Sequence, residues 1–154
     1  MPTSAIRIVE VVVFRFMHDH PEVLVLRRSD DDTVYPGVWQ VVTGTITEGE
    51  SALDAARREV EEETALVPQR FWTVPYVGRF FDGSHDVVHL APFFAVQVEA
   101  GQDPVLSAEH NDYAWLTTNE ARKRIPIVGQ QEALDAVSKA ILRDLSGGAL
   151  WLIR

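Results

Sequence analysis

The segment GTITEGESALDAARREVEEETAL, Gly44 to Leu66, places Glu59, Glu61, Glu62 and Glu63 almost side by side. On a helix, like charges three or four residues apart repel by about 0.2–0.5 kcal/mol per pair. A solvated acidic face is the ordinary account of such a run, but the spacing says more. With roughly 100° of turn per residue, Glu63 falls about 40° to one side of Glu59 and Glu62 about 60° to the other, while Glu61 lies on the far side. Leu53, Ala56 and Val60 form an apolar stripe beside this acidic sector. Ala52 and Ala55 fall inside the sector, where short side chains are expected to leave an uncluttered surface. Three converging carboxylates offer hard oxygen ligands that suit Mg²⁺, with Mn²⁺ as the alternative, and a bound cation offsets their repulsion. Ahead of the helix, Gly44 lets a backbone carbonyl approach closely and Gly49 permits a tight turn. Ser51 is placed to cap the helix.

The bulk composition bounds what such a site can serve. The chain has 154 residues, 46% hydrophobic and 24% charged, which predicts one globular domain over residues 1–154. A formal net charge of −9 argues against a nucleic-acid polymer or an anionic membrane as partner. A small phosphorylated substrate stays compatible if a cation bridges it to the protein. The absence of cysteine excludes disulfides, thiolate metal sites and cysteine nucleophiles, and it fits a reducing cytoplasm. The apolar start MPTSAIRIVEVVVFRF is interrupted by Arg7, Glu10 and Arg15. It lacks the order of a signal peptide, is too short to span a bilayer, and reads as a strand.

Along the chain, Ile6 to Phe16 and Glu22 to Arg28 read as partner strands around the turn HDHP. SDDDTVYPGV is a loop with Pro36-Gly37 as its turn, and WQVVTGTI is one short strand leading to the helix, which covers about Ser51 to Thr64. Phe71 to Phe81 and Val87 to Val98 are strands joined by a hairpin at DGSHD, and DYAWL is a further strand. Thr117 and Glu120 stand in capping-box spacing ahead of a short helix that Pro126 stops. A final amphipathic helix covers Gln130 to Leu145 and ends at Gly147-Gly148, before the tail ALWLIR. Strands and helices mixed in this way imply an α/β layer fold.

Written as G-x5-E-x7-R-E-V-x-E-E-x-A-L, the segment from Gly44 resembles the Nudix box, with Glu50, Arg58, Glu59, Val60, Glu62, Glu63 and Leu66 in matching slots. Ala65 departs from the pattern, which usually has glycine there. The resemblance implies a Nudix hydrolase, an α/β/α sandwich with a mixed central sheet that cleaves a nucleoside diphosphate linked to another group with Mg²⁺. Carried over by position, Glu59 and Glu63 are metal ligands, and Glu62 is a ligand or activates the attacking water. Arg58 orients a neighbouring glutamate, Glu50, and Gly44 offers its carbonyl to a metal. Glu109, in LSAEHNDYAW, is the alternative base, since a downstream glutamate reaches the metal site in relatives; a surface acid is its ordinary reading. VWQVVTG and SAEHNDYAWLTTNEA are similar to the subgroup that contains dihydroneopterin triphosphate pyrophosphatase and dATP pyrophosphohydrolases, so the resemblance covers most of residues 5 to 140. Homodimers are frequent in the family.

Arg27 and Arg28 end a strand that would point toward this site, so either is a candidate phosphate holder, with solvated arginines as the alternative. Trp39 is a candidate for stacking on a base or pterin ring, with a core position as the alternative. His85, Asp86 and His89 are poorly spaced for a metal set, and His110 has no assigned role. The expected function is Mg²⁺-dependent hydrolysis of a phosphoanhydride in a nucleoside or pterin triphosphate, dihydroneopterin triphosphate-like or dATP-like, with release of pyrophosphate. The alternatives are a hydrolase of oxidised nucleotides or dinucleoside polyphosphates, and a non-catalytic Nudix nucleotide sensor, against which the intact glutamates count.

Overall fold

The run Val11-Val12-Val13-Phe14 is apolar at every position because its strand is covered on both faces. In the computed structural model, which describes residues 1–144 and 148–154, this run lies in β2 (Ile8–Met17), after a short β1 (Thr3–Ala5). A tight turn with His18 and Asp19 at φ of 50° and 63° leads into β3 (His20–Arg28), which pairs antiparallel with β2. Next come β4 (Trp39–Gln40), β5 (Val42–Thr45) and the acidic helix α1 (Ala52–Thr64). The long hairpin β6 (Arg70–Asp82) and β7 (Val87–Gln97) follows, then β8 (His110–Leu116), α2 (Thr118–Arg124), α3 (Val128–Val137) and β9 (Leu152–Ile153). The strands form one mixed sheet whose central path runs β4-β3-β2-β7-β6-β9; β2 and β7 are parallel, and β2 and β5 antiparallel.

Alternation along β2 divides the core. Val9, Val11 and Val13 face α1, where they meet Ala55, Ala56 and Val60. Val12 and Phe14 face the other way, toward Ala121 of α2 and Ala133, Leu134 and Val137 of α3. The result is the expected α/β/α sandwich with a mixed central sheet. No helix among the described residues is long and apolar enough to cross a membrane.

Several elements differ from expectation. The acidic sector of α1 does not look out over an open surface: Ala55 is fully buried in the core. A helical wheel fixes relative directions but not which one points inward, and the small Ala55 and Ala56 let the helix settle close to the sheet. WQVVTGTI is two strands, because β4 pairs with β3 and β5 with β2. Between them the N–H of Val41 leaves the ladder and donates to Gln130 Oε1 at 3.0 Å. The last helix starts earlier, at Val128, and continues beyond Val137 as a wider π-turn over Ser138–Leu142. Leu145 and Gly147, expected near its end, lie outside the described residues. The tail adds β9 to Phe71 and Trp72.

Both expected caps form. Ser51 Oγ accepts from the Asp54 N–H at 3.1 Å, and Thr117 and Glu120 make a reciprocal capping box. Helix α1 closes with Ala65 in the left-handed region, φ 56°, its N–H donating to Glu61 O at 2.9 Å. A residue with a Cβ is strained there, by about 1–2 kcal/mol, and the greater freedom of glycine in the unfolded chain returns part of that. Ala65→Gly is therefore expected to stabilise the protein by about 0.5–1 kcal/mol, read as a higher urea midpoint with unchanged slope.

Candidate active site

Arg58 organises the acidic end of α1. Its Nε donates to Glu50 Oε1 at 2.8 Å, Nη1 to Glu59 Oε1 at 2.7 Å and Glu62 Oε2 at 3.1 Å, and Nη2 to Glu50 Oε2 at 3.0 Å and the Thr45 carbonyl at 2.8 Å. A guanidinium has five N–H donors, so none is left over. Glu50 also accepts from the Thr47 N–H and hydroxyl. The Arg58 hydrogen bonds, with those from Thr47, hold its carboxyl down at about 2.

Glu59 packs against β5 at Gly44, where a Cβ would overlap its carboxylate. Burial pushes its pKa up, and Arg58 opposes the rise. Glu63 is more extreme. It is 2% exposed, and neither carboxyl oxygen has a hydrogen-bond partner among the described residues. Burial, then the charges of Glu59 and Glu109, push it up to about 9. One ligand atom each of Glu63, Glu109 and His110 lies within 4.8 Å of the others. Gln40 sets the state of His110: Gln40 Oε1 accepts from Arg28 Nη1 at 3.2 Å, so its Nε2 donates to His110 Nε2 at 3.1 Å. Burial and then the Arg28 charge lower His110 to about 4, so the ring is neutral with its proton on Nδ1, 4.0 Å from Glu63 Oε2.

Two adjoining cavities open here. The first, about 360 Å³, is lined by Arg58, Glu59, Glu109 and His110 together with Gly44 and Arg28. The second, about 540 Å³, is lined by Glu10, Tyr35, Phe80, Ile127 and Gln130 among others. Ile8, Arg28, Gln40 and Thr43 line both. Glu63 is buried without lining either cavity, and Glu62 lines neither, its side chain 59% exposed.

The two arginines expected near the phosphates part company. Arg28 lines both cavities and is steadied by Asp32 at 2.6 Å. Arg27 lines neither; it binds Asn111 at 2.9 Å and Asp30 at 2.8 Å. Trp39 also lines neither, packing against the core with the guanidinium of Arg124, at the end of α2, over its ring at 4.9 Å. His85 and His89 gather around Asp82 on the β6–β7 hairpin and, with Asp86, line neither cavity. The lining side chains of Gln40, Gln130 and Glu10 drew no functional reading from sequence. For Glu10 the available signal was a lone acid inside an apolar strand; for Gln40 and Gln130 no local signal exists.

The donor set fits a divalent cation. Glu63 is a buried carboxyl with both oxygens orphaned among the described residues, ringed by acids whose charges disfavour its own ionisation, and Glu109 stands close by as a further oxygen donor, while His110, with Nε2 accepting from Gln40 and the proton on Nδ1, borders the group without a free lone pair.

A mixed-sheet sandwich with an acidic helix beside a polar cleft defines a class of protein, and comparison with known proteins names it. The Nudix domain family matches residues 6–137. An octanoyltransferase from Myxococcus xanthus is 33% identical over 135 residues, which are 83% of this chain but 35% of that protein. The nucleoside triphosphatase NudI of Escherichia coli is 29% identical over 100 residues, 60% of this chain and 71% of that one. The chain thus spans about a third of the first relative and most of the second. Among solved structures, a C. elegans Ap4A hydrolase binary complex superposes with a TM-score of 0.72 at 21% identity, covering 88% of this chain and 96% of that one. The E. coli dihydroneopterin triphosphate pyrophosphohydrolase does so with a TM-score of 0.67 at 25% identity, covering 88% and 93%. The chain belongs to the Nudix domain family.

The unpartnered Glu63 carboxyl has a measurable consequence. The folded chain holds the Glu63 proton to about pH 9, whereas the unfolded chain releases it near 4.5. Between those values the folded state binds more protons, so stability falls as pH rises through that window. In EDTA the Tm is expected to fall from pH 5 to pH 9. Glu63→Gln removes most of that slope, and Mg²⁺ restores the Tm of the unmutated protein at the alkaline end.

Proposed function

We propose that this chain, as a single domain over residues 1–154, is a Mg²⁺-dependent pyrophosphohydrolase of nucleoside or pterin triphosphates. The observation that carries the reading is the orphaned Glu63 carboxyl, buried beside Glu59 and Glu109, which line a cleft together with Arg28. A buried acid cluster needs a cation, and the cleft beside it offers a positive side chain to a polyanion. The names of NudI and of the dihydroneopterin triphosphate pyrophosphohydrolase agree with a triphosphate substrate.

Glu59 and Glu63 would hold Mg²⁺, or Mn²⁺ in its place, with the Gly44 carbonyl, Glu62 and Glu109 as further donors. When bound, the cation supplies charge neutralisation and a more acidic water. The protein's own groups do the remaining work. Arg58 holds Glu59 in position, and Arg28 receives the phosphate chain at the border of the two cavities. Water attacks the α-phosphorus, the bridging P–O bond breaks, and its electron pair leaves with pyrophosphate. Glu109 takes the water's proton. It lines the cleft and carries no side-chain hydrogen bond among the described residues, whereas Glu62 lies outside the cleft and is tied to Arg58. Glu62 is the alternative base. Arg27 and Trp39, expected among the substrate contacts, line neither cavity and are held instead by Asn111 and Asp30 and by the core. A reducing cytoplasmic setting suits a cysteine-free chain, and a homodimer follows the family resemblance.

The test is pyrophosphate release from a panel of ATP, dATP, GTP and dihydroneopterin triphosphate with Mg²⁺ and with EDTA. Turnover is expected only with the metal, and Glu63→Gln is expected to abolish it in a protein that still folds. Glu109→Gln is expected to lower kcat by about 10²–10⁴-fold and Glu62→Gln by less; the reverse order makes Glu62 the base. Tight Mg²⁺-dependent binding without turnover of any member would replace the hydrolase with a nucleotide sensor.

A further inference from the structure

The second cavity adjoins the phosphate cleft through Ile8, Arg28, Gln40 and Thr43. A substrate whose phosphates lie in the first therefore presents its heterocycle to the second. At about 540 Å³, with Tyr35, Phe80, Ile127 and Val128 among its lining residues, that cavity has the size and apolar walls of a ring-binding site. The Phe80 ring is itself stacked on His89, with centroids 4.8 Å apart, which steadies it as a platform.

The floor carries one built polar feature. Gln130 is fixed by Val41, whose N–H donates to its Oε1 at 3.0 Å, so its Nε2 must donate to Glu10 Oε1, at 2.7 Å. Glu10 Oε2 receives no hydrogen bond among the described residues, and no cation is paired with this carboxyl. Gly78 keeps the space beside Oε2 open; a Cβ there would stand 3.5 Å from that oxygen and 3.0 Å from the Phe93 ring. Oε2 is open to the cavity and free of any protein donor among the described residues, so a ligand N–H can reach it directly. A carboxylate edge accepts two neighbouring N–H groups at once.

From this geometry we infer that Glu10, held by Gln130, reads the adjacent ring N–H and 2-amino group of a 2-amino-4-oxo heterocycle, the edge that guanine and pterin share. The inference rests on the triphosphate reading of the first cavity and adds the substrate's base class to it. Glu10 is the specificity-determining residue, and Gln130 is a positioning residue that acts through it.

Inosine triphosphate tests the point because it differs from GTP only in lacking the 2-amino group. The unmutated enzyme is expected to favour GTP over inosine triphosphate by about 10–100-fold in kcat/KM, as loss of one hydrogen bond to a charged group implies. Dihydroneopterin triphosphate against GTP then tells which source of the edge is preferred. Glu10→Gln places an amide donor against the ligand's donors and is expected to shrink the GTP preference about tenfold. Phe80→Ala, an exposed position that leaves the core intact, is expected to raise KM for both nucleotides without changing their ratio. Equal kcat/KM for GTP and inosine triphosphate in the unmutated enzyme, or an ATP preference over both, overturns the inference while leaving the hydrolase standing. If no triphosphate is turned over, the hydrolase reading fails, and Kd values for GMP and IMP decide the edge separately. Tighter GMP binding that Glu10→Gln removes supports it, and equal binding overturns it.

Discussion

The constraint from which the site follows is the burial of acidic side chains on the inner side of α1. A helix that turned its glutamates to water would need no counter-charge. This one packs Ala55, Ala56 and Val60 into the sheet and carries Glu59 and Glu63 inward with them. Arg58 compensates for part of that, spending all its donors on Glu50, Glu59, Glu62 and the Thr45 carbonyl. It thereby ties the helix to the preceding loop and to β5. Glu63 lies beyond its reach, and the site keeps an unbalanced buried carboxyl there. The demand for a cation is thus a consequence of packing, not merely of acidic composition.

That arrangement also reconciles a net charge of −9 with a phosphorylated substrate. The protein's overall field repels polyanions, so attraction has to be local. It comes from Arg28, which Asp32 and Gln40 hold at the border of the two cavities, and from the metal-binding capacity of the acidic cluster. The same Gln40 directs the proton of His110 toward Glu63. Polar order in the cleft is therefore relayed from β4 to β8 through side chains that belong to no motif. The second cavity is governed differently: its walls are mainly apolar, and the carboxyl on its floor is held by Gln130, 120 residues away in sequence from Glu10.

The sequence by itself determined the glutamate helix, its cap at Ser51, the capping box at Thr117, the layered fold and the Nudix class. The helix and its caps follow from periodicity and spacing within one segment, which local sterics and helix geometry translate directly into structure; the layered fold follows from the mixture of strands and helices along the chain, and the Nudix class from the resemblance of Gly44 to Leu66 to the Nudix box. The same resemblance implied that Arg58 orients Glu50, and the two are joined at 2.8 Å. Tertiary structure decided which direction the acidic sector faces, which of Arg27 and Arg28 reaches the cleft, and that Trp39 is covered by Arg124. It decided that WQVVTGTI splits between two partner strands, and that Glu10, Gln40, His110 and Gln130 meet around the cavities. Those outcomes depend on contacts between residues far apart in the chain. Strand alternation and helical pitch specify relative orientation within an element, but only the packing of one element on another specifies which face is inside.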